Sequence, residues 1–186
     1  MPFNEAKAVQ AIAWLLNKAG GRLDKWQLIK MLYLAERTYL RKHGALITGD
    51  RFVSMQYGPV VSSTYDLIKA SGARVSEWSR WLNPVSEHAI SLRADLSVDR
   101  EAMQKLCDAE IAELDAIFEE FGHMSGKELV DFTHDNCHEW LDPKGSSVPI
   151  TTTEVLEAQG VTRSVARAIA ESVREDNALQ RFMAAL

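Results

Sequence analysis

His134, Cys137 and His138 form an H-x-x-C-H run, and each of the three side chains could ligate zinc. A closed structural zinc site needs four ligands, however. The usual second pair is missing, and the other cysteine, Cys107, stands alone. The plainer reading gives His134 a hydrogen bond at a helix end and makes Cys137 a small buried group. With Asp135 and Glu139, the same stretch also holds residue types used in acid–base catalysis. A carboxylate beside a histidine in sequence is common, though. No G-x-S-x-G elbow, HExxH pair or phosphate-binding glycine loop accompanies it. No catalytic residue, metal or cofactor is therefore expected. Lys30, Arg37 and Arg41 recur along one stretch and could contact phosphates or an acidic partner protein; the plainer alternative is a solvated face. Tyr57 precedes Gly58-Pro59, where a strand meets a turn and side chains often become exposed.

These residues need elements to hold them. Val9, Ile12, Ala13 and Leu16 recur at helical spacing, so a helix is predicted from Asn4, its N-cap, to Ala19 before Gly20-Gly21. A second helix is predicted from Asp24 to His43, stopped by Gly44. Leu28, Met31, Leu32, Ala35 and Tyr39 form one stripe, widened by Trp26, Ile29, Tyr33 and Leu40. That makes it a central helix, with Lys30, Arg37 and Arg41 as a narrow polar stripe. Phe52, Val53, Met55 and Tyr57 suggest a strand, and Pro59 suits the first turn of a third helix. Trp78 and Trp81 read as buried anchors, and His88 to Leu92 as a strand pairing with residues 52–57. Asp99 to Phe121 reads as a long acidic helix. Ser125 and Glu128 form a capping box that opens the helix carrying His134. Two helices are expected near 152–158 and 162–176. Beyond Asp176-Asn177, Leu179, Phe182, Met183 and Leu186 give a final short apolar stripe, expected to contact a partner rather than the core. The sum is a helix-dominated α+β fold with a small antiparallel strand pair. The lack of βαβ alternation disfavours a Rossmann fold or a barrel.

Composition agrees with one globular unit: 186 residues, 46% hydrophobic and 25% charged. No apolar run is long enough to span a membrane, and MPFNEAKAVQ lacks the pattern of a secretory signal. Two cysteines make no disulfide framework, so a reducing cytoplasm is the expected location. The net charge of −5 is uneven: Lys18 to Arg51 holds eight Lys/Arg against three Asp/Glu, and Asp99 to Glu120 two against eight. An electrostatic dipole is the expectation, and the overall acidity argues against a dedicated nucleic-acid binder.

Two blocks of sequence carry a resemblance. The first comprises Lys30-Met31-Leu32-Tyr33-Leu34-Ala35, Ile47-Thr48-Gly49-Asp50 and Met55-Gln56-Tyr57-Gly58-Pro59-Val60. The second comprises Leu129 to Asp135, Glu139-Trp140 and Asp142-Pro143. In this order and spacing, over roughly residues 24–157, they resemble the Panacea domain family of SocA-like antitoxins. Met31 departs from the usual leucine with little change in volume. Asn136-Cys137-His138 is more polar than usual.

The resemblance implies an antitoxin of a bacterial or prophage toxin–antitoxin pair, without enzymatic activity. It would neutralise a cognate toxin by direct contact, or hand it to the ClpXP protease as SocA-like adaptors do. Tyr33, Gly49, Asp50, Gly58, Pro59, His134 and Trp140 would be structural. Partner contacts would come from Lys30, Arg37, Arg41, Tyr57, Leu179, Phe182, Met183 and Leu186. Residues 1–160 would form the domain and 161–186 a helical extension, which could also serve a homodimer. The alternatives are a DNA-binding or regulatory protein using the basic stripe, and an enzyme centred on His134 and His138.

Overall fold

The computed structural model describes residues 3–70 and 76–183. Helix α1 (Glu5–Lys18) starts where the Asn4 side chain accepts a hydrogen bond from Lys7 N at 3.0 Å. Strand β1 (Arg22–Asp24) leads directly into α2 (Lys25–His43). Asp24 caps α2, and Gln27 closes the reciprocal box by accepting from Asp24 N. Gly44, in the left-handed conformation, ends the helix. From Leu28 to Glu36 every residue of α2 is buried, Lys30 and Glu36 included. The breadth of its apolar surface explains why: the helices at 108–121, 126–136 and 152–158 pack around it, with α1 and the hairpin at 52–61 completing the enclosure.

Strands β2 (Phe52–Met55) and β3 (Gly58–Val61) form a hairpin that leads into α3 (Ser62–Lys69). Then come α4 (Ser76–Trp81), β4 (Leu82–Pro84), β5 (Ala89–Leu92), α5 (Asp108–Phe121) and α6 (Gly126–Asn136). Strand β6 (Val148–Ile150), α7 (Thr152–Ala158) and α8 (Arg163–Met183) follow. Two antiparallel three-stranded sheets result, ordered β1-β5-β4 and β3-β2-β6. In the second, Ser54 stands opposite both Pro59 and Val148. Three edge strands carry a proline: Pro59 in β3, Pro84 in β4 and Pro149 in β6.

The expected helix-dominated α+β class is observed, and Trp78 and Trp81 are buried anchors. Several local expectations are corrected. Residues 89–92 pair with β1 and β4, not with residues 52–57. Pro59 lies within β3, since a two-residue turn at Gln56-Tyr57 folds the chain straight back. Only Asp108–Phe121 of the acidic segment is helical: Cys107 and Glu110 form the start, while Met103 and Leu106 anchor the preceding turns in the core. Helix α8 continues through Asp176-Asn177, so the apolar tail is not a separate helix.

Candidate partner-binding surface and the polar core beneath it

The basic stripe is not a surface. Lys30 is fully buried, and its Nζ donates to Pro59 O at 3.0 Å. Loss of water pushes its pKa down to about 7. Arg37 turns inward as well: its Nε donates to Glu139 Oε1 at 2.5 Å and its Nη2 to Oε2 at 3.3 Å. The Tyr33 hydroxyl donates to the same carboxylate at 2.6 Å; burial and the neighbouring Glu139 charge hold its pKa well above the usual phenol value. Arg41 alone of the three is exposed. The cause is the enclosure of α2, which leaves no open side at positions 30 and 37. A sequence stripe for phosphate contact or partner contact is therefore corrected for Lys30 and Arg37.

The hairpin turn explains why an amine is tolerated there. Gly58 has φ +89°, and a Cβ at that position would lie 2.8 Å from Lys30 Nζ, 2.9 Å from Thr133 Oγ1 and 3.1 Å from His134 Cδ2. No side chain fits, and only glycine adopts that backbone without strain. The Lys30 stem thus reaches under the turn and fixes β3 to α2.

Two buried carboxylates shape the loop before the hairpin. Glu36 accepts from Ile47 N at 2.7 Å, from Thr48 N at 2.6 Å and from the Thr48 hydroxyl. Burial nevertheless raises its pKa to about 7. Asp50 accepts from Arg51 N, Ser63 N, Thr64 N and Thr64 Oγ1, which caps α3 from across the hairpin. Glu36 was not singled out from the sequence; its place inside the apolar run of α2 was the available signal.

His134 stacks on Trp140 with centroids 4.2 Å apart and rings 17° from parallel. Its Nε2 is buried and has no hydrogen-bond partner, so the expected hydrogen bond is replaced by stacking. Burial lowers its pKa and nearby Lys30 adds to this, against the opposing carboxylates of Asp131, Asp135 and Asp142. Trp140 Nε1 donates to Met55 O at 2.9 Å, which ties the segment after α6 to the hairpin. Cys137 is buried, with its thiol pushed up to about 12 by desolvation, while His138 is exposed. Among the described residues, no group of three or more His, Cys, Asp or Glu is placed to hold a metal ion.

The expected charge dipole is offset in part within the fold. Helix α5 lies against α1 and α2, where Lys18 and Lys42 of the basic segment, and Lys7 before it, meet its acidic side chains. Lys7 pairs with Glu110, Lys42 with Glu113 at 2.8 Å and Lys18 with Asp115 at 3.1 Å. Several large apolar side chains are also left open to a partner. Tyr57 is 54% exposed and meets Trp26 edge to face at 5.5 Å. Leu141 is 69% exposed and Val148 also projects outward. On α8, Leu179, Phe182 and Met183 are all at least 60% exposed, whereas Ala166, Ala170 and Val173 face the core. Leu186 lies outside the described residues. An open groove of about 950 Å³ separates α8 from the β3-β2-β6 sheet, with Val53, Met55, Tyr65 and Val173 in its walls.

Among the described residues no helix is long and apolar enough to cross a membrane. No curated protein and no solved structure matches the chain. The family model described as antitoxin SocA-like, Panacea domain, matches residues 28–141. That span is more than half of the chain, and it holds α2 with Lys30 and Tyr33, the glycine-tight hairpin, and the Glu139-Trp140 pair that locks both together. By that match the chain belongs to the SocA-like antitoxin family, built on the Panacea domain.

Proposed function

We propose that this protein is the antitoxin of a bacterial or prophage toxin–antitoxin pair and neutralises its toxin by direct contact, without catalysis. The observation that carries this reading is the family match across the whole α2–hairpin–α6 frame. The site geometry supports it. The titratable side chains on α2 are spent inside the fold: Lys30 on Pro59, and Arg37 and Tyr33 on Glu139. Exposed aromatic and aliphatic side chains are what the surface offers, and such groups anchor protein interfaces. Residues 1–160 form the shared domain in this reading, and 161–186 an extension whose Leu179, Phe182 and Met183 add toxin contacts. The protein works in the cytoplasm, as its toxin does.

Co-expression tests this directly. The small protein encoded beside this gene should arrest growth alone and be tolerated when this chain is present, and the two should co-purify. Rescue without co-purification in cells lacking ClpXP, where the toxin is not degraded, would overturn direct contact. Repeating the rescue in cells lacking ClpXP separates masking from proteolytic delivery: rescue that persists means masking, and rescue that disappears means delivery.

A further inference from the structure

We infer that the face around the β2–β3 hairpin, which carries Tyr57 on its turn and Trp140 and Leu141 tied to β2, with Asp135 and Asp142 flanking them, is the primary docking site for a cationic segment of the toxin that carries an apolar side chain. This rests on the antitoxin reading above and adds the place and the chemistry of contact.

The apolar part is prebuilt. Tyr57 sits in a two-residue turn whose next residue is locked by Lys30, Thr133 and His134, so its backbone has little freedom. Its ring is 54% exposed yet braced edge-on by Trp26. Trp140 is held between the His134 ring and Met55 O. Leu141 follows it, its backbone N donating to Ser54 Oγ at 3.2 Å, and Val148 stands opposite Ser54 in the sheet register. Rigid aromatic anchors that need no ordering on binding are what hot spots are made of. A patch that is held this firmly and still open to water has a packing reason outside its own chain.

The charge beside the patch selects the partner. Asp135 directly follows His134, which stacks on Trp140, and Asp142 directly follows Leu141, so both carboxylates flank the patch; Asp131 lies one helical turn before His134 on α6. Asp131 is engaged by Lys127 at 2.6 Å. Asp135 and Asp142 are exposed, and neither forms an ion pair among the described residues. Asp142 Oδ1 accepts from Lys144 N at 2.8 Å, which leaves its charge uncompensated by a cation. Two exposed carboxylates beside an apolar anchor complement lysine or arginine flanking an apolar side chain, and they repel an acidic segment. The outer stripe of α8 offers apolar surface too, but it lies outside residues 28–141, where the family frame is.

The test uses the full chain and, as probe, the purified small protein encoded beside its gene, with affinity measured by calorimetry at low and high salt. Tyr57→Ala and, separately, Leu141→Ser should each weaken binding about tenfold. The double reversal Asp135→Lys, Asp142→Lys should weaken it about tenfold at low salt and much less at high salt. Leu141, Asp135 and Asp142 are exposed, so melting temperatures of those variants should match the wild type, while Tyr57→Ala should fall by only a few degrees through loss of its edge contact with Trp26. Three outcomes overturn the inference. The variants could bind as wild type does; Leu179→Ser with Phe182→Ser could cost more than Tyr57→Ala; or the Tyr57 and Leu141 variants could change the mass of the protein alone, marking the face as a contact between copies. If the wild type itself does not bind, the antitoxin reading fails first and this inference falls with it.

Discussion

Replacing Lys30 by methionine should change how stability depends on pH. The side chain is fully buried and its amine donates to one carbonyl, Pro59 O. Burial lowers its pKa from 10.5 to about 7. A folded-state value below the unfolded one means that, between the two, the unfolded chain binds the extra proton. Stability therefore rises with pH from about 7 towards 10.5, and the whole span is worth about 5 kcal/mol at 1.36 kcal/mol per unit. Two other groups oppose the rise at its upper end. Burial pushes the Cys137 thiol from 9.0 to about 12 and Tyr33 well above 10, so both withdraw stability once the unfolded chain ionises. Glu36, raised to about 7, finishes withdrawing stability at the lower end. From pH 7 to 9 Lys30 should contribute about 2 kcal/mol, which the difference between wild type and variant isolates from these groups. Urea unfolding of wild type and Lys30→Met at pH 7, 8 and 9 measures it. The wild type should gain about 2 kcal/mol over the variant across that window, or roughly 4–8 °C in melting temperature for a chain of this size. Methionine keeps most of the stem volume, so the variant should fold. Parallel pH profiles would show that the amine keeps its ordinary pKa, and the account of a desolvated lysine under the hairpin would be wrong.

Four further outcomes are expected. Glu139→Ala strips Arg37 and the Tyr33 hydroxyl of their shared acceptor and should cost about 3 kcal/mol in urea unfolding, with Glu139→Gln recovering about half. Gly58→Ala should cost more than 2 kcal/mol, roughly, because backbone strain adds to the Lys30 and Thr133 clashes. Gly145→Ala, at φ +88° with nothing within 4 Å, should cost only about 1 kcal/mol. His134→Ala should lower the melting temperature by removing the stack on Trp140, costing about 1–2 kcal/mol, and His134→Phe should restore most of it; an unchanged melting temperature with lost neutralisation would make His134 a contact residue. Truncation after Asp176 should leave the melting temperature unchanged while weakening toxin binding, since Leu179, Phe182 and Met183 are at least 60% exposed; a fall of several degrees with binding intact would put the tail in the core.

Local signals announced the helices. Asn4, the Asp24–Gly44 pair and the Ser125–Glu128 box mark ends that the backbone must satisfy, and each occurs within four residues of the groups it serves or at a residue that stops the helix. Strand pairing is non-local, and so β5 could not be matched to β1 across more than sixty residues from its own sequence. Lys30 was misplaced for a related reason. Hydropathy assigns lysine to water, whereas a long apolar stem with one acceptor at its end can be enclosed. Its acceptor is on β3 and its cover on α6, neither of which is adjacent in sequence. The acidic run from Asp99 looked continuous because charge says nothing about whether Met103 and Leu106 are needed in the core. The exposure of Tyr57 is legible because Gly58-Pro59 marks a chain reversal, although the strand ends two residues before Tyr57 and Gly58 opens the next one.

The prolines on the sheet margins have a consequence for how any partner can engage. A strand joins a sheet by reading a row of free N–H and C=O groups along its edge. Pro59, Pro84 and Pro149 each remove a donor from such a row, and β4 and β6 are only three residues long. At these three edges partners are thereby denied backbone zippering, the mode least sensitive to sequence and most prone to run on into aggregates, and the fourth edge, β1, is only three residues long. Recognition is left to side chains, which can be exchanged one at a time as a toxin changes, while the ladder beneath them keeps its register.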